Sequence, residues 1–161
     1  MLVLVLALFG CQTRSTSTAS SMALSTPEEV ARRLVEAMRD GDTSKAERLF
    51  ISRNEFASIF SDPDINTRYD QLAQRFRDSL ETLKSEMKDS EFVRMNMNHS
   101  GPPGSMAPGK QFGPVRVKAH ALAFDNVHAV VLVNGAERDL KLDELLKVGD
   151  SWRLIDATQL R

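Results

Sequence analysis

Cysteine is almost missing from this chain: Cys11 is the single one in 161 residues. One cysteine makes no intramolecular disulfide, so no disulfide framework organises the fold. Tryptophan and tyrosine occur once each, and histidine three times. No Cys/His cluster has zinc-ligand spacing. There is no Gly-rich phosphate loop and no nucleophile elbow. Charge excess is missing too. Lys and Arg number 21 against 22 Asp and Glu, with no basic run, so the electrostatic footprint of a nucleic-acid binder is absent. Long apolar runs are also missing. The longest, "MLVLVLALF", has nine residues, where a membrane-spanning helix needs roughly 20.

What remains is an ordinary globular composition, 42% apolar and 27% charged, at a length that fits one domain. The opening nine residues match the apolar region of a secretory signal, typically about 7–15 residues long. They lead to "GC" and then to the Ser/Thr-rich "QTRSTSTASSMALS". That polar stretch has too little apolar surface to offset its ordering entropy and is expected to be a disordered tether. The order predicts a signal peptide over 1–10, a tether over 11–24 and one domain over 25–161.

The "LFGC" of Leu8 to Cys11 resembles the lipobox of bacterial lipoproteins. Phe9 stands where that family usually has a small residue, and no Lys or Arg precedes the apolar run. The resemblance implies that the Cys11 thiol takes a diacylglyceryl group, that the chain is cut before Cys11 and that the new amino terminus is acylated. Two or more acyl chains make a stable anchor where one does not. Gln12 in the next position implies sorting to an outer membrane, with the domain facing the periplasm. The alternatives are an ordinary secretory signal or an N-terminal segment with an incidental cysteine.

The first half of the domain reads as helices. Thr26, Pro27 and Glu29 form a capping box with proline in the first turn, Val30, Leu34, Val35 and Met38 make a stripe, and Gly41 stops it. This predicts a helix over 27–40. Asp42 or Thr43 caps a second helix. Ser52 and Glu55 box a third, which Asp62-Pro63 ends. The longest helix spans "TRYDQLAQRFRDSLETLKSEMKDS", with Tyr69, Leu72, Ala73, Phe76, Leu80, Leu83 and Met87 on one face. So one-sided a helix needs a broad apolar partner.

The second half reads as that partner. "VRVKAHALAF" alternates strictly and predicts one strand with Val115, Val117, Ala119, Ala121 and Ala123 on its inner face. "VHAVVLVNG" is apolar on both faces and predicts a central strand. Asp125-Asn126 and Asn134-Gly135 read as hairpin turns, and Gly149-Asp150 closes a last hairpin. The fold class is α+β, with N-terminal helices against an antiparallel meander. Within it, "HSGPPGSMAPGKQFG" (99–113) carries three prolines and four glycines. A loop of this length is expected to be disordered, or else a lid with Met106 or Phe112 as its apolar contact.

The segments "TPEEVARRLVEAMRDGDTSKAERLF" and "LLKVGDSWRLID" resemble small proteins of the nuclear transport factor 2-like fold, which includes the ketosteroid isomerase-like superfamily. The resemblance implies a curved sheet wrapped around the long helix, giving a cone with an apolar pocket. Some members are isomerases or dehydratases, and many only bind or assemble. It speaks to fold and hardly to activity.

Candidate site residues follow from the register. On a two-residue Asp125-Asn126 turn, His128 shares the inner face with the alanines and is a candidate acid–base or hydrogen-bonding group. A two-residue Gly149-Asp150 turn places Asp143 opposite Asp156, a pair able to share a proton. His120 points away from His128, so the two share no metal. Tyr69 on the inner stripe offers one hydroxyl, to a ligand or to a local partner. Ala119, Ala121 and Ala123 leave either a cavity or room for close packing.

The function favoured on these grounds is a membrane-anchored envelope lipoprotein without enzymatic activity. It is expected to bind a small apolar ligand at Tyr69, Ala119, Ala121 and His128, or a protein partner, and to need no cofactor. The outer sheet face is the expected homodimer surface. The alternatives are an isomerase- or dehydratase-type enzyme using His128, Asp143 or Asp156, and a purely structural protein with a filled cone.

Overall fold

The computed structural model describes residues 24–96, 102–156 and 158–161. Cys11 and the expected signal peptide lie outside these residues, as does the tether up to position 23. Leu24 does not belong to a tether. It is buried, and its carbonyl accepts the Trp152 N–H (2.8 Å).

Four helices come first. Helix α1 (Pro27–Arg39) starts where the Thr26 hydroxyl accepts the Glu29 N–H (3.1 Å). The expected box is only half made, because the Glu29 carboxylate turns to Arg32 and Arg33 instead. Asp42 caps the short α2 (Thr43–Glu47). The box at α3 (Arg53–Ile59) is complete: Ser52 and Glu55 each accept the other's backbone N–H. Strand β1 (Phe60–Ser61) follows, then α4 (Ile65–Glu86). Ala73, Phe76, Leu80, Leu83 and Met87 are buried along one side of α4 and just past its end, while Tyr69 and Leu72 are half-buried at its start.

The sheet is strongly curled and antiparallel. Strand β6 (Ala121–Val133) is central, flanked by β2 (Glu91–Asn96) and β3 (Gly104–Met106) on one side and by β7 (Ala136–Val148) on the other. Beyond β7 lie β8 (Ser151–Leu154) and β9 (Gln159–Leu160). The chain does not pass directly from β2 to β6. It first forms β3, β4 (Gln111–Phe112) and β5 (Val115–Val117), and β5 pairs with β1 and β4 in a separate three-stranded sheet.

Three expectations change here. The alternating run 115–124 is two strands in two sheets, because residues 118–120 cross between them with the Lys118 and Ala119 N–H groups bonded to the Ile59 carbonyl (2.7 and 3.3 Å). Residues 104–106 and 111–112 of the Gly/Pro-rich loop are strands rather than disorder. Backbone pairing to β6 and β5 satisfies their polar groups, Met106 is buried, and Phe112 stacks on Phe60 (5.3 Å between ring centres). Asp125-Asn126 is a bulge inside β6, not a turn. Asn126 takes a positive φ of 53°, which asparagine tolerates.

The turns at Asn134-Gly135 and Gly149-Asp150 form where expected, with Val133 opposite Ala136 and Val148 opposite Ser151. Around these elements one apolar cluster runs from Leu24 to Ile155, with Leu160 packed against it. No helix among the described residues is long and apolar enough to cross a membrane.

Candidate functional site: a cleft at the end of the curled sheet

The double bulge decides which side chains reach the site. Between Phe124↔Leu145 and Val127↔Asp143, β6 uses one extra residue. Between Val127↔Asp143 and His128↔Lys141, β7 uses one. The register then resumes in step. Asp143 sits at φ 57° in this kink, and the next residue, Glu144, is turned out of the simple alternation.

Glu144 lines a cleft of about 660 Å³, within the usual size range of small-molecule sites. Its apolar floor comes from four places: Phe56 of α3, Leu72 of α4, Phe112 and Val115 around the β4–β5 turn, and Ile155 after β8. Its polar rim is Arg68, Gln71, Gln74 and Arg75 of α4, with Glu144 and Asp156 across from them. The β4–β5 turn is held in place by the Phe60–Phe112 stack and by Gln111 Nε2 donating to the Gly113 carbonyl (2.9 Å).

The rim charges differ in how they are satisfied. Arg75 bonds Asp156 (3.3 Å). Burial pushes the Glu144 carboxyl up to about 7, reinforced by Asp125, Asp156 and Asp143 and opposed by Arg75. A carboxyl in that range exchanges its proton near neutrality. Arg68 differs again. Its Nε is sealed from solvent and has no hydrogen-bond partner among the described residues. A buried donor left so typically costs about 1–3 kcal/mol.

Beside the cleft, Arg153 ties β8 to α3 through Glu55 (3.1 Å). Burial raises the Glu55 pKa, but bonds from Ser52 and Arg153 more than offset it, so the value lies below the ordinary one.

The expected site residues scatter. His128 is not on the inner face. With 125–126 bulged inside a continuous strand, Val127, Ala129, Val131 and Val133 keep the core face, and His128 points outward beside Val130. It is nonetheless only 6% exposed. Its Nδ1 meets Asp139, and its Nε2 lies 3.0 Å from Asn126 Oδ1.

Asp143 and Asp156 form no proton-sharing pair. The ladder ends at Leu145↔Leu154, Asp143 bonds Lys141 (2.5 Å), and Asp156 bonds Arg75. Both acids instead act on Glu144, which the sequence reading missed. A signal existed: the buried leucines step 140, 142, then 145, and that break in alternation marks a bulge.

Tyr69 donates its hydroxyl to the Ile51 carbonyl (3.2 Å), under the Arg53 guanidinium 4.6 Å from the ring centre. Burial raises its pKa. Ala121 is buried where β3 pairs with β6, and Ala119 lies at the crossing between the sheets. None of Tyr69, Ala119, Ala121 or His128 lines the cleft.

The outer sheet face is a polar lattice. Arg94 and Glu137 make a two-pronged bond (3.0 and 3.1 Å) beside His128–Asp139 and Lys141–Asp143. Among the described residues no group of three or more His, Cys, Asp or Glu could hold a metal. Set against known proteins, no family model, no curated protein and no solved structure matches this chain.

Proposed function

We propose that this protein is an envelope lipoprotein whose α+β domain, of the nuclear transport factor 2-like kind, binds a small ligand in the cleft and performs no chemistry on it. The cleft carries this reading. It combines a contiguous apolar floor with a few convergent polar groups, which is the usual make-up of a small-molecule site. Anchoring at Cys11 on an outer membrane would present the cleft to the periplasm. A filled cone, the structural alternative, fits less well with an open volume of this size.

Native mass spectrometry of the gently purified protein tests the reading. Extra mass that leaves on denaturation supports it. A bare mass that stays bare with added apolar probes overturns it.

The second reading is an enzyme of the isomerase or dehydratase type, and Glu144 favours it. A carboxyl poised near neutrality above an apolar floor is suited to general acid–base work. On that reading the acid–base group is Glu144 rather than His128 or Asp143, which lie outside the cleft. Turnover of a cleft-bound ligand that Glu144→Gln abolishes would establish it, and a ligand recovered unchanged from the wild type would dismiss it. A homodimer across the outer face would have to engage the Arg94–Glu137 lattice, because Val93 and Leu122 are the exposed large apolar side chains among the described residues.

A further inference from the structure

Among the described residues the cleft holds a cation with no ion-pair partner. Arg75 is matched by Asp156 (3.3 Å), and Asp143 by Lys141 (2.5 Å). Arg68 lines the same cleft, is half-buried and makes no ion pair among the described residues; its Nε is closed off, so the donors it can offer a ligand are its two Nη groups. A guanidinium never deprotonates in a protein and presents its donors as a planar fork. The group that best fits such a fork is a carboxylate, which accepts two parallel N–H bonds. Phe56, Leu72 and Ile155 line the same cleft with apolar side chains. A ligand that satisfies both regions has an acidic end and an apolar body.

We propose that Arg68 anchors the head group of the cleft's ligand and that the ligand is an amphipathic carboxylate. This rests on the cleft being a ligand site, as argued above. Glu144 does not oppose such an anion at mildly acidic pH, because it then holds its proton. Charged groups from every neighbouring element bear on it: Arg75 of α4, Asp125 of β6, Asp143 of β7 and Asp156 after β8. As Glu144 ionises it becomes a second negative charge on the rim, and carboxylate affinity falls.

The test is calorimetric titration of the full chain at mildly acidic pH with decanoate, decanol and decyltrimethylammonium. Decanoate should bind about tenfold or more tighter than decanol, the scale of a charge-assisted bond. Arg68→Gln should erase that advantage, bringing decanoate to the affinity of decanol for the same variant. Arg68→Lys, which keeps the charge and loses the fork, should retain part of it. Arg68→Met serves where the Gln variant folds poorly by circular dichroism.

Equal affinity for decanoate and decanol overturns the anchor, as does an advantage that survives Arg68→Gln or a preference for the cationic probe. In each of those cases the probes still bind, so the cleft remains a ligand site. If none of the three binds, the cleft reading falls and the anchor falls with it.

Discussion

Strand β7 carries two glutamates in opposite circumstances. Glu137, near its start, lies on the outer face in a two-pronged bond with Arg94, which holds its carboxyl below the ordinary range. Glu144, near its end, sits in the cleft, where burial and three acids push it up to about 7. The residues are the same and the strand is the same. What differs is the bulge between them, which turns Glu144 into a low-dielectric corner where it has no ion-pair partner among the described residues. Residue type does not set protonation here; the geometry of the strand does. The outer face pairs Arg94 with Glu137 and His128 with Asp139, whereas the cleft holds a half-buried Arg68 without an ion-pair partner among the described residues and an acid that titrates near neutrality.

The contrast can be broken most forcefully from the cleft floor. Phe56 is 2% exposed and packs on Phe60 with ring centres 4.8 Å apart. Phe56→Ala should cost about 3–5 kcal/mol in urea unfolding and enlarge the cleft, because neighbouring rings collapse only partly into the space.

Next comes pH. The Glu144 pKa is raised in the folded state, from an ordinary 4.5 to about 7. Between those values the folded protein holds more of a proton than the unfolded chain, so stability falls as pH rises. The contribution is whole below about 4.5 and lost once pH passes about 7. Discounted for partial exposure, it amounts to about 1–2 kcal/mol. Glu144→Gln should flatten that slope, while Glu137→Gln should leave it in place.

A smaller effect is expected at the cap that supports the floor. Ser52→Ala removes the α3 box and should cost about 1 kcal/mol in the same unfolding measurement. The smallest lies on the outer face. Arg94→Ala should return the Glu137 carboxyl towards its ordinary range in an NMR titration while leaving the unfolding midpoint almost unmoved.

The helical half was legible because caps act locally. Thr26, Asp42 and Ser52 each satisfy backbone donors three residues on, whatever the rest of the fold does. The Asn134-Gly135 and Gly149-Asp150 turns were legible for a similar reason.

Asp125-Asn126 was misread for an instructive reason. Asparagine there reports a backbone that must take positive φ, and a hairpin turn and a bulge both need it. The dipeptide alone does not distinguish them. That reading placed His128 on the wrong face, and the matching bulge in β7, marked by the buried leucines at 140, 142 and 145, hid Glu144. Asp156 does line the cleft, but it shares no proton with Asp143: its ion-pair partner is Arg75 on α4, which strand register does not reveal. Phe112, considered as the contact of a lid, also lines it.

The paired bulges have a consequence for how this protein can change. They behave like two frameshifts that cancel. Each strand spends one surplus residue, and the pairing beyond them is the pairing before them. Deleting either residue alone would leave the two halves of the ribbon one step out of phase and bring polar side chains to the core face along half its length. Removing one from each strand restores the phase and straightens the kink. Single-residue deletions at 125–126 or at 142 should therefore each abolish folding, while the double deletion restores the register and loses only the buried Leu142 side chain and the corner that holds Glu144.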